Sequence, residues 1–343
     1  MLTRRTLMRA AIGSALVTAG CSSSPSNRTN SSANKPLDKV THATGFGTYP
    51  EESFSYVAVE KGFFREAGIE VKIVPGAGGE VNLGMLATGK ADFTEIDYAG
   101  ALVRAGNGKF DPFRCVAAIH RQTLICFLAL TGKGIASPVD LMHKTLGQQA
   151  GTVQKTLFPA YARLAGFDAS TVTWVNGTPQ TLPAMLASGN ANAIGSYVTS
   201  QPFIQHSTGK EILVLPYSTY LTDLYGSALV ASKKLIDTNP DLVHRYTGAL
   251  LKGLDYTVKN PDEAAAILKK AVPTTEINGA IAGIKTLVPY VGPGQNGGAF
   301  GEFDQGKVAR GTALLQGLGL YQNGFAPERV VDFGTIAAVS KAQ

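Results

Sequence analysis

Catalytic signatures are missing from this chain. It contains no G-x-S-x-G elbow, no H-E-x-x-H and no G-x-x-x-x-G-K-[ST], so elbow-type nucleophiles, helix-borne zinc and P-loop phosphate binding all lack their sequence carriers. Cysteine is scarce too. Cys21, Cys115 and Cys126 stand alone with no C-x-x-C, and the five histidines (His42, His120, His143, His206, His244) are scattered. Neither a metal site nor a cofactor is expected. Cys115 and Cys126 read most simply as two small buried side chains, with a disulfide left open because exported proteins can form one. Charge is also low, 16% of residues against 44% hydrophobic, which favours a large core over disorder. The formal net charge of +6 leans on the first 20 residues, which hold Arg4, Arg5 and Arg9 and no acid. Setting those aside takes 31 basic residues to 28 against 25 acidic ones. With that small excess and no Lys/Arg stripe interleaved with aromatics, nucleic acid is set aside as a partner.

What is present begins at the N-terminus. "MLTRRTLMRAAIGSALVTAGC" has a basic start, a short apolar run from Ala10 to Val17 and small residues before Cys21. The run is too short to span a bilayer and has the proportions of a secretory signal. "TAGC" resembles a bacterial lipobox, in which the cysteine is lipidated, and "TRRTLMR" resembles a twin-arginine export signal. The expectation is a signal peptide over 1–20, a lipid on Cys21 that holds the protein to the outer face of the cell membrane, and a polar, turn-forming tether over 21–37.

The remaining length suits two domains, and the sequence repeats itself accordingly. "MLATGKADF" at 85–93 and "MLASGNANA" at 185–193 are near twins 100 residues apart. Each is preceded by a strand-and-helix pattern, "IEVKIVPGAGGEVNLG" in one case and "FDASTVTWVNGTPQTLPA" in the other, and followed by a short strand. A period this long indicates two complete lobes rather than a solenoid. The strand–helix alternation predicts a mostly parallel sheet flanked by helices in each lobe. One helix is predicted over "SFSYVAVEKGFFREAG", ending at Gly68. "FRCVAAIHRQTLICFLALTGKG" and "EILVLPYSTYLTDLYGSALVAS" read as two extended hinge segments. The expected division is lobe 1 over 38–126, lobe 2 over 127–225, and a return to lobe 1 over 226–343, mostly helical. The fold class is α/β.

In α/β lobes, ligands bind at the carboxyl ends of the strands. Seven segments are expected there: 48–53, 76–79, 95–100, 147–152, 175–180, 195–201 and 222–227. The candidate ligand-binding residues are Tyr49, Glu51, Ser53 and Phe54 after the first strand, then Gly78 and Gly79, then Asp97 and Tyr98. In the second lobe they are Gln149, Thr152, Thr178 and Tyr197, with Tyr225 on the returning hinge. None of the seven segments contains Lys or Arg, which argues against a strongly anionic ligand gripped by guanidinium groups. Tyrosines with carboxylates suit a flat, neutral or weakly basic heterocycle. The glycines of "GAGG" (76–79) either leave backbone N–H groups free for a ligand or merely permit a tight turn.

The stretch "YVAVEKGFFREAGIEVKIVPGAGG…LATGKADFTEIDYAGALVRAGNG" is similar to the first lobe of extracytoplasmic solute-binding proteins of ABC importers, in the branch for thiamine pyrimidine precursors, alkanesulfonates, taurine and nitrate. "GIASPVDLMHKTLG" resembles that family's entry into the second lobe, with His143 where glycine is common. The resemblance implies a type II periplasmic-binding-protein fold and a non-enzymatic monomer. Such a monomer would close two lobes on a small solute, most simply a pyrimidine or related heterocycle, and deliver it to a membrane permease driven by an ATPase. Other solutes of the branch and a purely sensing role are the alternatives. A pyrimidine-forming enzyme of similar fold is disfavoured, because those enzymes carry a Cys-rich motif absent here. The resemblance also aligns "TYPEE" and Asp97–Tyr98 with binding segments of the first lobe, and Thr152 and Tyr197 with those of the second.

Overall fold

The computed structural model describes residues 36–150, 152–178, 180–293 and 298–342. The signal, Cys21 and nearly all of the tether lie outside the described residues.

Two five-stranded sheets carry the fold. In chain order the strands are β1 (Asp38–Ala43), β2 (Phe46–Gly47), β3 (Ile69–Val74), β4 (Gly76–Ala77), β5 (Phe93–Asp97), β6 (Phe113–Ala118), β7 (Ile125–Leu130), β8 (Thr145–Gln149), β9 (Thr173–Gly177), β10 (Ala193–Tyr197), β11 (Ile212–Pro216) and β12 (Ser227–Ser232). The first sheet runs β3-β1-β5-β12-β6 and the second β9-β8-β10-β7-β11, with β2 and β4 forming a small ribbon. The two sheets share one plan. Three parallel strands come from the lobe's own β–α–β–α–β unit, and an antiparallel strand then inserts beside them. That inserted strand is the one on which the chain arrives from the other lobe, β7 in the second and β12 in the first. The outer strand, β6 or β11, is the one by which it leaves. The crossings are short segments between Ala118 and Ile125 and between Pro216 and Ser227, and the second is not the extended stretch expected, because it opens on a 3-10 turn at Tyr217–Thr219.

The twin stretches do the same work in both lobes. The helices are α1 (Ser53–Glu60), α2 (Phe63–Glu66), α3 (Gly79–Ala87), α4 (Tyr98–Gly106), α5 (Val153–Ala165), α6 (Leu182–Ser188) and α7 (Gln201–Thr208). Helices α3 and α6 both end into a left-handed glycine, Gly89 (φ 69°) and Gly189 (φ 82°), where a side chain would be strained. The residue three positions past that glycine then clips the neighbouring strand. Asp92 Oδ2 accepts from Thr41 N and Asn192 Oδ1 from Thr145 N, each at 2.8 Å. The single helix expected over 53–68 is instead two, because Gly62 is also left-handed (φ 79°) and breaks the helix before α2. At 143 the turn keeps glycine's geometry with a histidine, at φ 60°.

After β12 come α8 (Lys233–Thr238), α9 (Pro240–Lys259), α10 (Pro261–Ala271), α11 (Ile277–Leu287), α12 (Gln305–Gly317) and α13 (Phe333–Ala342). Helix α9 starts with Pro at its first position and Asn239 Oδ1 accepting from Leu242 N. It then buries a stripe at helical spacing, Leu242, Val243, Tyr246, Leu250 and Leu254. Gly253 lets α1 approach, since a Cβ there would sit 2.6 Å from Ala58 Cβ. Not all of these helices rest on the first lobe alone. Gly283 of α11 lies against both Pro50 of the first lobe and Thr199 of the second. Cys115 and Cys126 are both buried and unpaired, one in each sheet.

Candidate functional site

The carboxyl ends of β1, β3, β5, β8 and β10, or the loops just past them, supply residues to one cleft, while the end of β9 does not. Two adjoining chambers occupy it, of about 650 and 690 Å³ counted to their open mouths. Phe46, Glu51, Thr152 and Tyr197 line both. The inner chamber reaches back to the crossings, where His120, Leu124, Gly226 and Ser227 close it, and the first lobe supplies Glu52, Gly78, Gly79 and Asp97. The outer chamber opens between Tyr49 on one lobe and Phe203 on the other, 36% and 50% exposed.

The first-lobe wall is built by a buried polar cradle. Asn82, wholly buried on α3, shares its amide N–H groups among the carbonyls of Thr44, Gly45 and Glu95 at 2.9–3.1 Å and accepts from Ala77 N at 2.9 Å. Thr44 Oγ1 donates to Gly47 O and accepts from Gly76 N. Gly76 must be glycine, because a Cβ would overlap Thr44 O. Of the two readings of "GAGG", close packing therefore explains Gly76. Glu52 ties the loop from the other side, its carboxyl accepting from Gly45 N at 3.0 Å and Phe46 N at 3.2 Å. The outcome is a fixed Phe46, stacked beside Tyr49 with ring centroids 6.2 Å apart.

Burial sets the electrostatics of the cleft. It pushes Asp97 up to about 7, even though the carboxylate caps α4 by accepting from Gly100 N at 3.0 Å. Burial also raises Glu51, and it raises Glu52 well above the carboxylate range with the negative charges of Glu95 and Glu51 beside it. The Tyr197 hydroxyl is held protonated by burial and then by the nearby Asp97. His120 is pushed down to about 3 by burial, so it is a neutral imidazole, with Nδ1 accepting from Ser227 N at 3.3 Å. Among the described residues no lysine or arginine lines either chamber. Arg104 borders a neighbouring recess, with its Nη2 held 2.6 Å from Glu80.

Of the candidates from sequence, Tyr49, Glu51, Gly78, Gly79, Asp97, Gln149, Thr152 and Tyr197 meet in these chambers. Five do not. Ser53 and Phe54 begin α1 and are buried, Phe54 in the core beneath α9. Tyr98, the first residue after the α4 cap, turns behind the sheet and packs on Tyr225 and Phe303 with centroids 5.4 Å away. Tyr225 is likewise core, its hydroxyl accepting from Asp304 N at 2.8 Å. Thr178 is exposed and closes a local turn with Thr181. Position in the loop placed these residues at the sheet edge but not the direction of their side chains. Missed were Phe46 and His120, while Glu52 lay in the expected segment 48–53 without being singled out. Phe46 had a weak signal, an aromatic between glycines just past a strand; His120 had none, since its place depends on the two crossings meeting.

The NMT1/THI5 like family matches residues 50–264. A formylaminopyrimidine-binding protein of Halalkalibacterium halodurans is 28% identical over 225 residues, covering 64% of this chain and 67% of that protein. The riboflavin-binding protein RibY of Chloroflexus aurantiacus is 28% identical over 252 residues, covering 71% and 70%. Among solved structures, the periplasmic aliphatic sulphonate binding protein SsuA of Escherichia coli superposes with a TM-score of 0.67 at 14% identity, covering 86% of this chain and 92% of its own. A protein of Bordetella bronchiseptica RB50 gives 0.67 at 21% identity, covering 90% and 98%. With two matching lobes around one cleft and a family match over well above half its length, this chain belongs to the NMT1/THI5 like family and has the fold of the periplasmic solute-binding proteins.

Proposed function

We propose that this protein is the solute-binding component of an ABC importer. It would be exported, held at the outer face of the cell membrane by a lipid on Cys21, and would capture a pyrimidine or related heterocycle between its lobes. The observation that carries the ligand class is the pairing of aromatic rings with carboxyls in chambers whose described lining holds no lysine or arginine. The Glu51 carboxyl, its pKa raised by burial, offers two oxygens side by side. That pair matches the ring nitrogen and amino group of an aminopyrimidine, and if the ring takes the proton the same two hydrogen bonds remain. A sulfonate would find no lysine or arginine among the described lining residues to offset its charge. The names of the two curated relatives support the heterocycle reading, and their description as binding proteins supports a non-enzymatic role.

Calorimetry with 4-amino-5-hydroxymethyl-2-methylpyrimidine, riboflavin, taurine and ethanesulfonate tests it. The heterocycles should bind and the sulfonates should not; binding of sulfonates alone would overturn the ligand class. Glu51→Ala should weaken heterocycle binding about 100-fold, as a site built for a donor–acceptor pair loses one partner. Membrane fractionation tests the anchor: Cys21→Ser should leave the protein soluble after export, and a variant that stayed in the membrane fraction would refute lipidation at this cysteine.

A further inference from the structure

The two chambers differ in chemistry. The inner one, against the crossings, carries the carboxyls of Glu52 and Asp97 and the imidazole of His120, with Glu51 at the junction lining both. The outer one is walled on the second lobe by Leu182, Pro183, Ile194, Phe203 and Ile204, opposite Phe46 and Tyr49. Phe203 leaves half of its surface in water at the mouth, and Tyr49 more than a third. Large apolar rings exposed on both sides of one opening are an unsatisfied hydrophobic surface aimed at a common occupant. A single six-membered ring held by the inner carboxyls would leave that surface wet.

We propose that the outer chamber is a second subsite and that the ligand is a fused-ring heterocycle, its hydrogen-bonding edge in the inner chamber and its apolar rings between Phe203 and the Phe46–Tyr49 pair. Phe203 is then a specificity-determining residue for ring number. Phe46, stacked beside Tyr49 and lining both chambers, is where the two halves of the ligand meet. This rests on the heterocycle reading above and narrows it. The other occupant of the space is the protein itself, if lobe closure simply brings Phe203 onto Tyr49 over a monocyclic solute.

A ring series separates these outcomes. The full mature chain with Cys21→Ser is titrated with 4-amino-5-hydroxymethyl-2-methylpyrimidine (one ring), lumazine (two) and lumichrome (three). Affinity should rise with ring number, by about 100-fold from the first to the third, the size expected for burying the added ring surface, most of it the dimethylbenzo ring of lumichrome. Phe203→Ala, at a half-exposed position where folding is not at stake, should weaken lumichrome about tenfold and the monocycle less than twofold. If the monocycle binds as tightly as lumichrome, or if Phe203→Ala weakens all three alike, the second subsite is refuted while the heterocycle reading stands. If none of the three binds, the heterocycle reading itself fails.

Discussion

Gly76→Ala is expected to lower stability by about 3 kcal/mol and to abolish heterocycle binding, since overpacking against a rigid backbone group lies at or beyond the upper end of such costs. The reason is local. A methyl at 76 would overlap Thr44 O and press on the Asn82 amide, and neither is the free end of a flexible side chain. Gly76 N donates to Thr44 Oγ1, and β4 pairs with β2 through Gly47↔Gly76 and Phe46↔Ala77. Any shift that relieves the overlap therefore moves Phe46 out of both chambers. Asn82→Ala should reach a similar loss from the opposite direction. It removes the side-chain acceptor of Ala77 N and a donor to the Thr44, Gly45 and Glu95 carbonyls, of which Gly45 O keeps Gly78 N and Glu95 O keeps Thr94 Oγ1; a buried group left unsatisfied costs about 1–3 kcal/mol. Urea unfolding and calorimetry on the two variants provide the measurement. Wild-type midpoints together with wild-type affinity would show that the cradle does not hold the site.

The second large effect is in the pH dependence of stability. Folded Asp97 keeps its proton up to about pH 7, against 3.8 for an ordinary aspartate. Its contribution is therefore full below pH 3.8 and is lost as pH rises through 7. His120 acts in the opposite sense. Folded, it stays neutral down to about pH 3, against 6.5 when unfolded, so its contribution is full above pH 6.5 and is lost as pH falls toward 3. Between about pH 4 and 6.5 the two slopes oppose each other at about 1.4 kcal/mol per pH unit each. Glu51 and Glu52, also raised, add to the side of Asp97. Asp97→Asn keeps an acceptor for the α4 cap and removes one slope, so this variant should lose stability on acidification faster than wild type. His120→Asn keeps an acceptor for Ser227 N and should gain stability over the same range. The two profiles should diverge by up to about 3 kcal/mol per pH unit. Parallel profiles in urea titrations at pH 4.5, 5.5 and 6.5 would refute the assigned protonation states.

The repeat of 85–93 at 185–193 carried much of the fold. A helix that must end, a glycine that can turn left-handed and a strand that must follow are local requirements, and local requirements are written in consecutive residues. The same holds for the absence of Lys and Arg near the strand ends, which anticipated a cleft with none among its described lining residues. Legibility stopped at the side chain. Asp97 and Tyr98 are neighbours on the chain, yet one lines the cleft and the other lies wholly buried against Tyr225. A loop's sequence does not say which face of the sheet each residue will meet.

By itself, then, the sequence determined two lobes of one design, the strand ends that converge and the polarity of the cleft between them, because periodicity, turn residues and composition act over short distances. Only the tertiary structure decided that β7 and β12 each insert into the sheet of the lobe they enter, that His120 closes the inner chamber from the crossing, and that Asn82 and Glu52 hold Phe46 in place. Apart from the Glu52–Phe46 tie, six residues long, those outcomes depend on contacts between residues tens to more than a hundred positions apart, and no local pattern records them.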